Sequence, residues 1–511
     1  MECKLIQTEV NVNEIVYEGS AEQSIDLDIV LPDYCPDIGK ILKCQVVPSI
    51  LAKDISGDTL NVEGNAAIRI FYADDEKRCL RSFEQEFPFS TSLNVKNVGE
   101  SASAFVKAKA DYVNCRAVSQ RKLDIHGAVT VKAAITNSQP QELISDVCGA
   151  GINLKKQTVP ISSLVNAVQQ QFGVSETLEI GSAKPPIGSI VRSDAVVFPT
   201  EYKAIANKLI LKGEAIVRAL YRSDLDETQF ETLEFNIPVN QFIDVPGLED
   251  TSACDVALEA AYLKLTPKTD NDGEYKMVGL DLRIGSTVKA YDDQEVSLIS
   301  DAYSTEYELI VDSRPVHLEK LIKNVSDNYI VRDTQEFAGA LVKSVTDIWC
   351  DLSDLNSKVQ DGKLSVKGNV NFNILAEDED NEPIFVERLS PFEYECPAGD
   401  ASAAKAEARA QIASAGFSFA GDNKLDLKAE VKLNAPVYSV TDIRSINQIT
   451  PDESQVKALT QQPALNIYYA DKGEALWDIA RKHNSSVDKI KEENELTDDT
   501  LGEDKMLLIS I

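Results

Sequence analysis

The chain repeats one pattern three times, and this repetition limits what the chain can fold into more than any other feature. The pattern is centred on a glycine, at Gly64, Gly213 and Gly368, so the copies are 149 residues apart (213 minus 64) and then 155 (368 minus 213). Apolar residues stand four and two positions before each glycine and four positions after it. A self-similar unit of this size indicates tandem domains of one type.

Short alternating segments within each unit predict β-strands. Residues Ile25–Leu31 alternate strictly between apolar and polar, and each unit ends in a matched run, at Leu123–His126, Leu280–Arg283 and Leu425–Lys428. Such runs, separated by Gly, Asn and Asp, indicate antiparallel sheets. We therefore predict a mainly β protein with three tandem repeats that resemble a β-sandwich or open barrel, followed by a small α+β module. The glycine inside each central strand predicts a bulge or a close backbone approach, which is a structural role.

Composition and spacing suggest where these units begin and end. We expect an N-terminal segment at 1–23 that supplies an extra strand, followed by repeats at 24–135, 166–295 and 305–445. Residues 136–165 and 296–304 are interpreted as connectors between the units. Residues 446–464, which are polar and contain prolines, are interpreted as a linker to a last module at 465–511.

Two places do not fit the repeat easily. Ile38 and Ile187 each lie 26 residues before the unit's glycine, whereas Leu318 lies 50 before Gly368. This difference predicts an insertion of roughly two dozen residues near 325–348, part of which (Gln335–Val345) could form a short helix. The run Ala401–Ala410 has strong helix propensity, but its position in the repeat predicts a strand.

Charge and cysteine usage narrow the range of partners and compartments. The net charge of −32 argues against nucleic acid and anionic membranes, which need a basic patch. Nine cysteines without a C-x-x-C pair indicate reduced thiols. The first residues lack the pattern of a secretory signal, and no apolar stretch approaches the roughly 18 residues needed for a transmembrane helix. We expect a cytoplasmic protein.

No motif in the sequence predicts catalysis. The three histidines, His126, His317 and His483, do not lie at metal-ligand spacing. His126 is expected to face solvent, His317 lies in a predicted connector, and a cationic His483 would favour the end of a helix dipole. No phosphate-binding G-x-x-x-x-G-K-[ST] motif occurs. We expect a protein that is not an enzyme, with no catalytic residues, no metal and no cofactor.

The last module carries the most specific motif of the chain. A strand at Ile467–Ala470 precedes Lys472-Gly473, then Leu476-Trp477-Asp478-Ile479-Ala480, then Asn494, and finally Leu507 and Ile509. This strand–helix–helix–strand pattern resembles a LysM domain. The resemblance implies binding to glycans that contain N-acetylglucosamine, through the loop after the first strand and the loop before the last.

Both of these loops depart from the LysM pattern. The usual Gly-Asp-Thr/Ser is Gly473-Glu474-Ala475 here, and a common Gly-Gln is Asp504-Lys505. Ala475 can neither cap the helix nor donate a hydrogen bond to a sugar, and acidic residues cluster in the module. We therefore expect a protein partner, with peptidoglycan or another glycan as the alternative.

The three repeats, followed by one such module, resemble the SPOCS-domain proteins of spore morphogenesis. This resemblance implies a mother-cell scaffold at the forespore surface that binds a coat-basement ATPase (SpoIVA-like) and helps the spore coat to assemble. The β repeats could bind other coat proteins or a second copy. We predict that the partner is bound by Ile467, Tyr469, Lys472, Gly473, Leu476 and a partly exposed Trp477.

Overall fold

The protein is built almost entirely from antiparallel strands, with two short helices near its C-terminus. The computed structural model describes residues 4–76, 78–96, 98–99, 102–148, 151–337, 341–399, 404–421, 423–457 and 465–510. The predicted class, mainly β with a small α+β module at the end, is confirmed. Neither helix exceeds eight residues, so no helix in the described ranges is long and apolar enough to cross a membrane.

The first unit is a sandwich of two three-stranded sheets. One sheet has the order β2-β3-β4 and the other has the order β1-β6-β5. Along the strands, buried apolar residues on the facing sides alternate with more exposed residues, and the two sheets pack together around Leu60, Ile68, Leu123 and Ile125. The strands are β1 (Lys4–Val30), β2 (Ile38–Ser56), β3 (Thr59–Asp74), β4 (Leu80–Asn94), β5 (Ser103–Ser119) and β6 (Lys122–Cys148).

The second and third units repeat this arrangement strand for strand. In the second unit, sheet β8-β9-β10 packs on sheet β7-β12-β11, and in the third, sheet β14-β15-β16 packs on β13-β19-β17/β18. The run Ala401–Ala410, which was predicted to be a strand, is strand at residues 404–406 and again from residue 409 onward. Residues 401–403 lie outside the described residues. The strands are β7 (Ile152–Glu179), β8 (Ile187–Ile205), β9 (Lys208–Ser223), β10 (Phe230–Asp244), β11 (Ala253–Lys268), β12 (Met277–Ser304), β13 (Tyr307–Glu336), β14 (Val342–Gln360), β15 (Lys363–Asp378), β16 (Pro383–Pro397), β17 (Ala404–Ala406), β18 (Arg409–Gly421) and β19 (Lys424–Val456).

The repeat glycines lie where there is no room for a side chain. Gly64 is in the central strand β3, opposite Phe89 of β4, and a Cβ there would lie 2.1 Å from the Phe89 ring and 2.6 Å from the Ser49 carbonyl oxygen. The register of β2 shifts just beyond this point, between Ile50 and Ala52. Gly213 and Gly368 face a neighbouring carbonyl oxygen and a cross-strand side chain in the same way. The glycine thus allows a bulged strand and a large side chain to approach together.

The expected insertion in the third unit is wrong. Val342 pairs with Asp378 just as Ile38 pairs with Asp74, and it lies 26 residues before Gly368 (368 minus 342). The spacing is therefore the same in all three units. The strand β13 continues to Glu336, so the structure shows no helix over the described part of 335–345, of which 338–340 lie outside the described residues. Leu318 was the wrong counterpart, because it belongs to the long strand β13.

Three strand pairs, β1/β6, β7/β12 and β13/β19, extend well beyond their sandwiches as two-stranded ribbons. The pairing of β1 with β6 runs from Val30↔Lys122 to Lys4↔Cys148. The far ends of the three ribbons pack together around Leu143, Leu298 and Leu318 and, nearer their tips, around a second apolar cluster. Apart from the turn residue Gly151, the segments expected as connectors (136–165 and 296–304) and the first part of the expected linker (446–456) are therefore strands where they are described. Residues 458–464 of that linker lie outside the described residues.

The three sandwiches close into a ring around a shared apolar centre. Phe71, Leu220 and Leu375 each lie seven residues after the unit's glycine and meet at this centre together with Trp349. Ion pairs link each neighbouring pair of units: Arg81 with Glu227, Arg192 with Asp347, and Lys43 with Glu387. The three units thus form one body with approximate three-fold symmetry, which we call the ring, and the ribbons extend from it.

Candidate functional site

The terminal module has the predicted order of elements, β20 (Leu465–Ala470), α1 (Leu476–Lys482), α2 (Val487–Asn494) and β21 (Lys505–Ser510). Both helices pack on one face of the β20/β21 sheet around Leu476, Ile479, Ile490 and Leu507, which are fully or nearly fully buried. The predicted lack of a cap at Ala475 is confirmed, since no side chain caps α1. In contrast, the hydroxyl of Ser486 caps α2 by accepting a hydrogen bond from the Lys489 amide.

The two loops that correspond to a sugar-binding groove are hydrogen-bonded to each other. The Gly473 amide donates to the Leu501 carbonyl over 2.8 Å, and the Leu501 amide donates back to Glu474 over 3.0 Å. The Lys472 amide donates to the Asp504 carboxylate over 2.8 Å. These backbone donors are thus already paired within the module, and the rim of the loops is acidic.

The outer face of the β20/β21 sheet exposes a row of large apolar side chains. Of the predicted partner residues, Ile467 is 59% exposed and Tyr469 is 77% exposed. Lys472 and Gly473 are exposed in the adjoining turn. Ile467 pairs across the sheet with Leu508, and Tyr469 pairs with Met506. Leu465 extends the row, and all of these side chains lie on the face opposite the helices.

Met506 and Leu508 were not recognised from the sequence as part of this surface, although a signal was present. Residues 506–509 are all apolar, and strand periodicity separates Leu507 and Ile509, which are buried, from Met506 and Leu508, which are exposed. A helix-bearing module of this size can cover only one side of a two-stranded sheet. The other side of the sheet therefore stays open.

The two remaining predicted partner residues are buried, and the expectation that Trp477 is partly exposed is wrong. Leu476 is fully buried in the module core, and Trp477 is only 8% exposed. The Trp477 ring is covered by Tyr303 of β12, whose ring lies edge-on at a centroid distance of 4.9 Å. The sequence pattern placed Trp477 on the flank of the helix correctly, but it could not show that another part of the chain covers this flank.

The module is docked on the tip of the second ribbon. Asp301 accepts a hydrogen bond of 2.9 Å from the Trp477 indole nitrogen and forms an ion pair with Arg481 at 3.0 Å. The Tyr303 hydroxyl donates to the Ser485 carbonyl oxygen over 2.7 Å, and burial raises the pKa of Tyr303 to about 12. The Asn484 side-chain amide donates to the Thr305 carbonyl oxygen over 2.8 Å. We call this set of residues the module contact.

The histidines do not assemble a catalytic or metal site. His126 is exposed, as predicted, and its hydrogen bond to Asp26 raises its pKa. His317 lies in strand β13 rather than in a connector and pairs with Asp442. His483 is the C-cap of α1, as predicted, but burial and the neighbouring Lys482 lower its pKa, which disfavours the cationic form expected at the helix end. Among the described residues, no group of three or more His, Cys, Asp or Glu side chains could hold a metal ion.

A cavity of about 430 Å³ lies where the three units meet near the base of the ribbons. Its walls include Tyr291 and Tyr438, whose hydroxyl oxygens are 3.2 Å apart. The charged side chains around it are paired with one another, as in Lys289–Glu407 and Lys405–Glu319. This arrangement gives no sign of a particular ligand.

Comparisons with known proteins identify two kinds of domain in the chain. The family model described as "SipL, SPOCS domain" matches residues 37–118 and 186–268, which lie in the first and second units. The LysM domain model matches residues 468–510, the terminal module. Comparison with curated proteins and comparison with solved structures found no match.

Proposed function

Because the chain is a SipL-like protein, with two matched SPOCS domains and a C-terminal LysM domain, we propose that it is a non-enzymatic scaffold of spore coat assembly. Both domain types are binding domains without a catalytic role, and their combination indicates a sporulation protein with a module of the glycan-binding type. In this proposal the terminal module captures a protein in the mother cell at the forespore surface, and the ring and ribbons form the platform that carries it.

The observation that carries this proposal is the open apolar face of the β20/β21 sheet. Exposed apolar side chains that form one continuous row are uncommon on a solvated surface and are typical of protein interfaces. Tyr469 stands at the end of the row nearest the loops, beside Ile467 and Met506, as an aromatic anchor that loses little conformational entropy on binding. The acidic loops beside this face, with Asp504 and Glu474, would form the polar rim.

The partner that the family resemblance favours is a coat-basement ATPase of the SpoIVA type. The β units are then free to bind other coat proteins or a second copy. Glycan binding is the alternative, and the loops argue against it. The backbone amides of Lys472, Gly473 and Leu501 are paired inside the module, so a sugar would have to displace these bonds. The missing hydroxyl at Ala475 removes a further donor.

The proposal is tested by measuring the affinity of the full chain for the purified ATPase by calorimetry. Tyr469→Ser should weaken binding about tenfold or more, because truncating an interface anchor typically costs more than about 1.4 kcal/mol. Tyr34→Ser is the matched control, since Tyr34 is also a highly exposed tyrosine but lies in the first unit. It should leave the affinity unchanged.

A sedimentation assay with purified peptidoglycan distinguishes the alternative. If the full chain sediments with peptidoglycan and does not bind the ATPase, the protein-scaffold proposal is wrong. If Tyr469→Ser and Tyr34→Ser bind the ATPase equally well, a protein partner remains possible, but the sheet face is not its binding surface. Circular dichroism of both variants must match that of the unchanged protein for this comparison to apply.

A further inference from the structure

We infer that the module contact is a reversible latch: the terminal module can leave the tip of the second ribbon while it remains folded, and leaving uncovers Trp477. The latch, formed by Asp301 and Tyr303 on β12 and by Trp477 and Arg481 on α1, is distinct from the sheet face that contains Tyr469. The inference does not depend on which partner the sheet face binds.

The composition of the contact supports opening without unfolding. Among the described residues, Tyr303 is the one member of the buried apolar cluster of the module that comes from outside it. The rest of that cluster, including Leu476, Ile479, Ile490 and Leu507, belongs to the module itself. The module therefore keeps its own core when it leaves, and it has the hydrogen bonds of its two loops and its two-stranded sheet to hold its shape.

The charges of the contact also allow separation. The side chains of Asp301 and Arg481 are 35% and 54% exposed while they are paired, so opening leaves neither charge buried and alone. The bonds from Tyr303 and Asn484 end on the backbone carbonyl oxygens of Ser485 and Thr305, which water can reach once the surfaces part. When the module leaves, the polar groups of the contact therefore exchange their bonds to each other for bonds to water, and one ring contact is lost.

The number of residues between the ribbon and the module sets how far the two parts can separate. Lys457 is held at the ribbon, where its amide donates to Glu306 and its ammonium group to Ser304. The strand β20 begins at Leu465, so seven residues (458 to 464) join the two parts. Seven residues can span up to about 25 Å when extended, which is enough to separate the module from the ribbon.

The other two ribbons supply an internal comparison. Each ribbon has a register shift at the corresponding position, where Ser145, Ser300 or Asn447 is the extra residue. Asp146 in the first ribbon corresponds to Asp301, and each carboxylate accepts a 2.9 Å bond from the next residue's amide. Asp146, however, pairs with Lys156 and has no contact to the module in the described structure. Asp146→Ala is therefore a matched control for Asp301→Ala.

Acrylamide quenching of tryptophan fluorescence in the full chain tests the latch. The chain has two tryptophans, Trp349 and Trp477, and both are shielded when the module is docked. Asp301→Ala should make about half of the emission quenchable, because it removes the partner of the indole and of Arg481 while Trp349 stays buried. Asp146→Ala should leave the emission as shielded as in the unchanged protein.

Hydrogen exchange of the same variants shows whether the module stays folded. The amides of Ile490 and Leu507, in the module core, should keep their protection in Asp301→Ala. If Trp477 stays shielded in Asp301→Ala, or if the module core loses its protection together with the shielding of Trp477, the latch is wrong. In the first case the contact does not depend on this carboxylate, and in the second the module is not independent of the ribbon.

Discussion

The ring and the module contact both join separate parts of the chain through carboxylate–cation pairs, but they place those pairs in different surroundings. Between the second and third units, Arg192 and Asp347 are 2.7 Å apart and each is more than 90% buried. At the module contact, Arg481 and Asp301 are 3.0 Å apart and both reach solvent. The two ion-pair distances are similar, so the two pairs differ in burial rather than in geometry.

This difference determines which joint can come apart. Separating the ring units would leave buried charges unpaired and would open the apolar centre around Phe71 and Trp349. Separating the module exposes mainly one tyrosine and one tryptophan ring. The ring is therefore a permanent assembly of three units, and the module contact is its detachable part.

The largest expected effect comes from breaking the buried pair. Arg192→Met should lower the free energy of unfolding by about 3–5 kcal/mol, because Asp347 stays buried without its cation and the guanidinium leaves the Trp349 ring. Urea unfolding followed by circular dichroism measures this change. The double variant Arg192→Met with Asp347→Leu should recover part of the loss. If Arg192→Met alone costs less than about 1 kcal/mol, the ring joint is not held by this pair.

The second effect tests the close packing inside each sandwich. Gly64→Val should cost about 1–3 kcal/mol, since its side chain would meet the Phe89 ring and the Ser49 carbonyl oxygen. Gly416→Val is the control, because no atom lies within 4 Å of where its Cβ would be and valine suits a strand. Thermal unfolding of both variants gives the comparison. Equal destabilisation of the two would show that the space at Gly64 is not what requires a glycine.

The third effect concerns acid. Hydrogen bonds from Arg388, assisted by Ser390 and the Thr334 amide, lower the pKa of Asp333 to about 2, whereas the unfolded value is about 3.9. Folding thus favours the ionised carboxylate of Asp333. Its contribution to the free energy of unfolding is present above about pH 4 and is lost as the pH falls towards 2. Asp333→Asn should be less stable than the unchanged protein at pH 7, and urea unfolding should show this gap closing between pH 4 and 2. A gap that stays constant with pH contradicts the assignment.

A smaller effect should follow from Trp477→Phe at the module contact. The phenyl ring can still pack on Tyr303 but cannot donate to Asp301, so docking should weaken by about 1.5 kcal/mol, roughly tenfold. The Asn484 side-chain amide, which donates to the Thr305 carbonyl oxygen across the contact, reports docking through its NMR signal, and ring unfolding should not change. An unchanged signal of this group would mean that the indole bond does not hold the module.

The smallest effect should come from salt. The Asp301–Arg481 pair is exposed, so raising the salt concentration from about 0.05 M to about 0.5 M should increase opening only about twofold. The same change should leave the buried Arg192–Asp347 pair unaffected. Arg481→Ala should remove the salt dependence of opening, and a salt response of the same size in that variant would contradict the role of this pair.

The sequence predicted the repeated β unit well because the unit is encoded locally. Alternation around Gly64, Gly213 and Gly368 is visible in any short window, and cross-strand burial follows from it. The ribbons were missed for the opposite reason. Their apolar residues, such as Leu143 and Leu298, are sparse and become buried only when three distant segments pack together. An interpretation that rests on short windows of sequence therefore assigns these segments as connectors.

The same limit applies to the terminal module. Its strands, helices and glycine turn follow from a specific local motif, and the exposure of Ile467 and Tyr469 follows from strand periodicity. The burial of Trp477 depends on Tyr303, which is 174 residues away in the chain (477 minus 303) and carries no distinctive motif. No local pattern contains that contact.

The long ribbons have a consequence for synthesis of the chain. The first strand of each unit pairs with the last one, as Lys4 does with Cys148 and Tyr307 with Val456, so a ribbon cannot form until its whole unit has left the ribosome. In the first unit, the first strand must wait, unpaired, for 92 residues at its inner end (122 minus 30) and for 144 at its outer end (148 minus 4). The tip of β12 is complete before the third unit is made. The Tyr303 ring and the Asp301 carboxylate at this tip therefore stay uncovered throughout that interval. A nascent chain therefore exposes Asp301 and Tyr303 before its own module exists to cover them.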